Sequence, residues 1–271
     1  MKSPSLFDLS GEVAVVIGAT GVLGGALAEG LAAAGASIIV SGRNAERGAA
    51  RVAAITESGG HAIFLESDAG SRQSLENLLA KTVATVGSPT VLVNAAGGND
   101  PKVTVTPENP FESISSADWA ANFDLNLVGG VLLPCQVFGP AMVAQKKGSI
   151  INIASVSAHI PLSRVVAYSA AKAAALSLTQ FLSREWAPAQ VRVNSITPGF
   201  FPAEQNRRLL YQEDGSPTPR AASILQHTPM GRFGQSHELA GAAVFLASPA
   251  ASSFITGTDI RVDGGFLSQT I

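Results

Sequence analysis

Short apolar runs rich in Val and Ile recur along the chain, separated by longer Ala- and Leu-rich stretches of helical pattern. The runs are Val13–Ile17, Ser37–Ser41, Ala62–Leu65, Thr90–Val93, Ser149–Ile153, Arg192–Ile196 and Asp259–Val262. Helical patterns cover Val22–Ala34, Ala45–Glu57, Leu75–Val86, Ala117–Ala144 and Val165–Trp186. Strands alternating with helices predict a parallel sheet covered on both faces. The expectation is one α/β domain over residues 1–271, a doubly wound parallel sheet of about seven strands in a three-layer sandwich. With 46% hydrophobic residues the chain can fill one large core. Two stretches break the rhythm, Gly98 to Ser116 and Gly199 to Gly234, both rich in Pro, Asn and charged residues. Long irregular segments after strands of an open α/β sheet read as binding loops or lids.

Several function classes are excluded. A net charge of −2 implies no basic face for nucleic acid. The lone Cys135 rules out an internal disulfide and favours the cytoplasm. The start, MKSPSLFDLSGE, carries Asp8 and Glu12 and no apolar core of signal-peptide length. Leu125 to Gln145 is uncharged and long enough to span a bilayer. Pro134, Pro140, Asn126, Gln136 and flanking glycines instead predict a helix buried at a core or subunit contact, so no membrane partner is expected. His61, His159, His227 and His237 are scattered without metal-ligand spacing.

After the first apolar run comes GATGVLGGALAEG, residues 18–30, with five glycines in thirteen positions. Two readings stand. Either the helix N-terminus that follows presents its free N–H groups to an anion, or the glycines let helix and sheet pack tightly. The general dinucleotide pattern G-x-G-x-x-G is not matched, since Thr20 stands at the second glycine. The second run ends IIVSGRN, with Gly42 and Arg43 where an NAD site usually carries an acid, and Ser41, Arg43 and Asn44 as candidate cofactor contacts. A guanidinium suits the 2′-phosphate of NADP, which is favoured over NAD.

A second signal is YSAAK, with Tyr168 and Lys172 one helical turn apart on one face. An ammonium and an oxidised nicotinamide nearby favour phenolate, and moving a phenol pKa to ~7 takes about 4 kcal/mol. INIASVSAH places Ser155 thirteen residues before Tyr168, able to hold a carbonyl or alcohol oxygen during proton transfer.

With these motifs the sequence resembles the short-chain dehydrogenase/reductase family over nearly its whole length. Gly18 and Gly24 fit the first and last glycines of that family's T-G-x-x-x-G-x-G turn. Ile17 replaces its threonine and Val22 its middle glycine, with Gly21 just before; Thr20 and Leu23 complete the turn. NAAG, Asn94–Ala95–Ala96–Gly97, resembles the motif ending the fourth strand, and WAANFDLN places Asn126 as the fourth catalytic member. Asp68 and Ala69 in ESDAG resemble the adenine contact; VRVNSITPGFF brings Pro198, Gly199 and Phe201 to the nicotinamide loop. A threonine or serine often follows that PG by four residues, and this sequence has Ala203.

The resemblance implies a Rossmann-like fold and a tetrad of Asn126, Ser155, Tyr168 and Lys172. It implies hydride transfer with NADP or NAD, with Tyr168 as acid in reduction and base in oxidation. Lys172 would lower the tyrosine pKa and bond the nicotinamide ribose. A homotetramer or homodimer built on the two long helices is implied as well. FFPAEQNR and HTPMGRFG resemble the sugar-acid branch of the family, the D-mannonate oxidoreductases or fructuronate reductases of this type. Asn99, His159, Asn206 and Arg207 are the candidate substrate contacts beside Ser155 and Tyr168, with Arg207 first for a carboxylate. A broad carbonyl or 3-oxoacyl thioester reductase is the alternative enzyme, and a non-catalytic dinucleotide-binding sensor the alternative of another class.

Overall fold

A computed structural model describes residues 6–203 and 210–270. Seven strands form one sheet: β1 Val13–Ile17, β2 Ser37–Gly42, β3 His61–Glu66, β4 Val91–Asn94, β5 Gly148–Ile153, β6 Val191–Pro198 and β7 Asp259–Val262. Their order is β3-β2-β1-β4-β5-β6-β7 and every pairing is parallel, in register Val15↔Ile39 and Val15↔Leu92 at the centre. All seven runs read from the sequence are strands, with ends shifted by two residues or fewer.

The helices are α1 Val22–Ala33, α2 Ala45–Glu57, α3 Arg72–Thr85, α4 Ser116–Phe123, α5 Leu133–Gln145, α6 Val166–Trp186, α7 Pro219–His227, α8 Ala240–Ala247 and the short α9 Pro249–Ser252. Alternate residues of β1 divide between two cores. Ala14 and Val16 join Leu27, Leu31 and Leu246 on one face; Val15 and Ile17 join Leu75, Leu78 and Phe138 on the other. Pleating produces that division, because successive side chains leave a strand on opposite faces. A third, smaller cluster of Val156, Leu210, Ala221, Ile224 and Phe266 seats α7.

Two features depart from the pattern read in the sequence. The helix expected over 117–144 is interrupted by a nine-residue π segment, Asp124–Leu132, between α4 and α5. Within it Gly129 lies against Gly70 and Gly130 against the Ala96 carbonyl, each leaving a Cβ only 3.1 Å from backbone atoms. The run from Ser116 to Gln145 is long and apolar enough to cross a membrane, yet half of its most apolar stretch is buried inside this protein. The lid region, expected to be irregular, carries α7, whose Thr218 side chain accepts the Ala221 N–H with Pro219 at the first helical position. A Thr N-cap followed by Pro is a helix-start signal present in the sequence.

Candidate active site

Strand order reverses at β1, which has β2 on one side and β4 on the other. Ligands of open α/β sheets bind at such a switch point, beyond the carboxyl ends of the strands. There Gly18 turns at φ +84°, and a Cβ on it would lie 2.8 Å from the Ala96 nitrogen. The Ala95 N–H bonds the Ile17 carbonyl at 3.0 Å, fixing this contact. A Cβ on Gly24 would press into the Gly18 carbonyl, 2.8 Å from its carbon. Gly21 donates its N–H to the Gly18 carbonyl at 3.0 Å and caps α1 without any side-chain bond to the first turn. Helices α2, α3, α4 and α7 all have a side chain in that position, from Asn44, Ser71, Ser115 and Thr218. The opening of α1 thus keeps its first-turn N–H groups free of a side-chain acceptor, in a cradle that added Cβ atoms would fill. A diphosphate fits these groups. Val22 stands exposed at its rim, and Leu23 packs on the core.

Around the adenosine end the placements are mixed. Arg43 is exposed, and Gly42 lets Thr20 approach so closely that a Cβ would lie 2.6 Å from its hydroxyl. Asn44 accepts the Arg47 N–H at 2.8 Å. Ser41, expected to meet the cofactor, is buried and bonded through its hydroxyl to Ser67, so its side chain is committed to the β2–β3 edge. Asp68 is exposed, with one carboxylate oxygen on the Gly70 N–H and the partly buried Ala69 between them. The Asn94 side chain is committed in a similar way. It is fully buried and donates to Asn152 at 2.8 Å, which donates on to Thr179, a relay tying β4 to β5 and α6.

The tetrad does come together. Gly97, at φ +148°, would carry a Cβ 2.6 Å from Asn126 Oδ1 and 3.4 Å from Lys172 Nζ, so both side chains converge on the segment after β4. Asn126 sits in the π segment and clamps Gly98 both ways. Its Oδ1 accepts the Gly98 N–H at 2.9 Å, and its Nδ2 donates to the Gly98 carbonyl at 2.8 Å. Asn122, not singled out from the sequence, completes the clamp by accepting from Asn126 Nδ2 with its carbonyl at 2.9 Å. Four residues upstream on one helix, it was findable by spacing alone. π segments gather at functional sites, where the widened turn re-aims a side chain.

Lys172 is 4% exposed, donates to the Ile153 carbonyl at 2.8 Å and stands 5.7 Å from the Tyr168 ring centre. Ser155 hydrogen-bonds the Tyr168 side chain and also meets Ser157 Oγ at 3.1 Å. Burial pushes the Tyr168 phenol above its ordinary value, and the Ser155 bond pulls it only part of the way back. The expected lowering by Lys172 is for a site that also holds an oxidised nicotinamide, and burial of the protein's own groups opposes it. Desolvation acts on both groups, and it brings the Lys172 ammonium down to about 8. With the protein alone, the neutral phenol is the favoured form.

A buried ammonium with one carbonyl partner makes its own stability prediction. The Lys172 pKa is depressed from its ordinary 10.5, so the unfolded chain binds its proton more tightly. The penalty is fully present below pH 8 and fades between pH 8 and 10.5. Lys172→Met should therefore raise the melting temperature at pH 7, by up to about 3 kcal/mol of stability, while abolishing activity. The gap between variant and wild type should close as the pH approaches 10.5. Thermal melts across that range check it; a gap that widens with pH contradicts the assignment.

His159 Nε2 lies 3.2 Å from both Asp259 Oδ2 and Thr197 Oγ1, so its ring links the loop after β5 to β6 and β7. Asn99 is pinned to Thr104 at 2.6 Å inside its own loop. Pro198 ends the buried strand β6, and Gly199 passes Asp263 so closely that a Cβ would lie 2.7 Å from its Cα. Phe201 is buried and helps line a cavity of about 380 Å3 with Phe200, Met230, Arg261 and Asp263, which none of the tetrad touches. Asn206 and Arg207 lie outside the described residues.

Against this geometry stand the comparisons. The family profile described as Enoyl-(Acyl carrier protein) reductase matches residues 18–267. The chain belongs to the short-chain dehydrogenase/reductase family. It is 37% identical over 271 residues to the Bacillus subtilis (strain 168) "Uncharacterized oxidoreductase UxuB", covering 97% of each chain. A Haemophilus influenza structure with bound NAD, provisionally assigned as a D-mannonate oxidoreductase, superimposes with a TM-score of 0.92. Identity there is 35%, over 98% of this chain and 99% of that one. A gluconate 5-dehydrogenase from Burkholderia cenocepacia J2315, in complex with NADP and tartrate, gives a TM-score of 0.88 at 34% identity over 98% and 99%. As a member of this family the protein is an NAD(P)-dependent oxidoreductase.

Proposed function

We propose that the protein interconverts the ketone and secondary alcohol of a sugar acid of the D-mannonate/D-fructuronate kind, with NADP favoured over NAD. The observation that carries this is the linked cluster of the four: Ser155 bonds the Tyr168 side chain, Lys172 stands 5.7 Å from the Tyr168 ring centre, and Lys172 and Asn126 meet beside Gly97. Relatives support the substrate class, among them the gluconate 5-dehydrogenase whose structure holds tartrate, a small polyhydroxy acid. Exposed Arg43 supports NADP, since no acid stands at the end of β2 to receive a ribose 2′-OH.

In reduction the Tyr168 hydroxyl gives its proton to the ketone oxygen, while the Ser155 hydroxyl donates a hydrogen bond to that same oxygen. In oxidation Tyr168 takes the proton back. Bound NAD(P) supplies or accepts the hydride at the nicotinamide C4. Lys172 adds a positive charge beside the ring of Tyr168 and can reach a ribose hydroxyl, and Asn126 fixes the Gly98 loop that borders both. The same reading makes the enzyme a cytoplasmic homotetramer or homodimer. Its subunits would meet on the long helices, where Leu125 and Phe181 are exposed.

A thioester reductase is the second reading, favoured by the acyl-carrier description of the matching profile. Turnover of fructuronate, tagaturonate, 5-ketogluconate and an acetoacetyl thioester, each with NADPH and NADH, separates the readings. At least one keto acid should be reduced, about tenfold better with NADPH. Turnover of the thioester alone rejects the sugar-acid proposal; cofactor binding without any turnover points to the sensor.

A further inference from the structure

The loop between Ser155 and Tyr168 holds a charge that the tetrad does not use. Arg164 sits at φ +75°, left-handed backbone that costs a non-glycine residue about 1–2 kcal/mol. Its carbonyl accepts the Val105 N–H at 2.9 Å, joining it to the 98–116 loop. The neighbouring Ser163 hydroxyl accepts from Arg220 Nη1 at 3.1 Å, joining it to α7. Two loops and the lid helix therefore meet at Ser163 and Arg164, in the segment that connects two members of the tetrad.

Arg220 stands in the first turn of α7, just after its Thr218 cap, where the helix dipole already disfavours a cation. Partial burial and the charge of Arg164 together hold its guanidinium below the ordinary arginine value. Among the described residues, neither arginine is in an ion pair. Strained backbone, a cation at a positive helix end and a like charge beside it all fall at one place. A bound anion would offset the last two and give the first a purpose, since strain persists where the surroundings impose it for function.

We propose that Arg164 and Arg220 form the subsite that binds the carboxylate of the substrate, the lid helix contributing one guanidinium and the Ser155–Tyr168 loop the other. This rests on the sugar-acid reading above and moves the carboxylate partner from Arg207, outside the described residues, to two placed residues. Planar guanidinium forks suit a carboxylate, and a loop shared with Tyr168 sets the distance between the acid group and the reacting carbon.

Steady-state kinetics on wild type, Arg220→Gln, Arg220→Lys and Arg164→Gly test it. The substrates are the best keto acid of the panel, its primary amide and a phosphorylated ketose. Arg220→Gln should lower the acid-over-amide ratio of kcat/KM by about 10- to 100-fold, chiefly through the KM of the acid. Arg220→Lys should recover part of that ratio. Arg164→Gly should lower it too while keeping or raising the melting temperature, because glycine accepts the positive φ. An unchanged ratio in a folded Arg164→Gly and in Arg220→Gln overturns the subsite while leaving the sugar-acid reading standing. Failure of wild type on every keto acid overturns that reading instead, and this subsite with it. A wild-type preference for the phosphorylated ketose that both variants lose assigns the arginines to a phosphate and rejects the carboxylate.

Discussion

Tyr168→Phe should lower kcat by about 10³-fold and leave the dissociation constant of the cofactor within about threefold of wild type. Only the hydroxyl is lost, and its partner Ser155 keeps a bond to Ser157 at 3.1 Å, so the loop retains its anchor. The pH dependence gives a finer signature. Burial raises the Tyr168 pKa, so the proton donor for reduction is the form at rest and the phenolate needed for oxidation is scarce. In wild type, kcat/KM for oxidation should rise with pH, while reduction should fall at the alkaline end. The residual activity of the phenylalanine variant should lack both limbs. Stopped-flow binding of NADPH with pH-resolved kinetics in both directions checks it. A variant keeping a tenth or more of the wild-type kcat would remove Tyr168 from the proton path.

The sheet was legible because a strand buried on both faces favours an unbroken apolar run, and Val13–Ile17 is one. The tetrad was legible because Tyr168 and Lys172 are related by helical spacing, which sequence displays directly. Contacts between distant segments were hidden. Nothing near His159 announces Asp259 one hundred residues later, and nothing near Ser41 announces Ser67. The π segment was hidden for a related reason. It goes with the close seating of Gly129 and Gly130 against backbone from two other loops, which no local pattern in 124–132 reveals. Charge shows the same limit. Spacing put an ammonium beside a phenol, but the depth of burial that shifts both their pKa values belongs to the packed molecule.

Gly24→Ala should remove cofactor binding and destabilise the protein together, and Gly21→Ala should do neither to a comparable degree. The two positions are three residues apart in one turn, yet their surroundings differ. A Cβ at Gly24 would be driven into the Gly18 carbonyl and stand 2.8 Å from its carbon, and backbone on both sides leaves no flexible side chain to yield. At Gly21 the nearest atom, the same carbonyl oxygen, is 3.3 Å away, and φ is −87°, a value any residue adopts. Overpacking of the first kind costs about 2–3 kcal/mol, or a fall in melting temperature of roughly 5–10 °C for a domain of this size. Relief requires the Gly18 turn to move away from α1, and that movement spoils the ring of N–H groups a diphosphate would use. The cofactor dissociation constant should rise about 100-fold, the worth of a hydrogen bond or two to a charged group. Calorimetric melts with fluorescence titration of NADPH on both variants separate the two readings of the glycine cluster. A Gly24→Ala protein that melts early but binds normally assigns the glycine to packing alone. One that loses both shows that the same close approach serves the fold and the phosphate cradle at once.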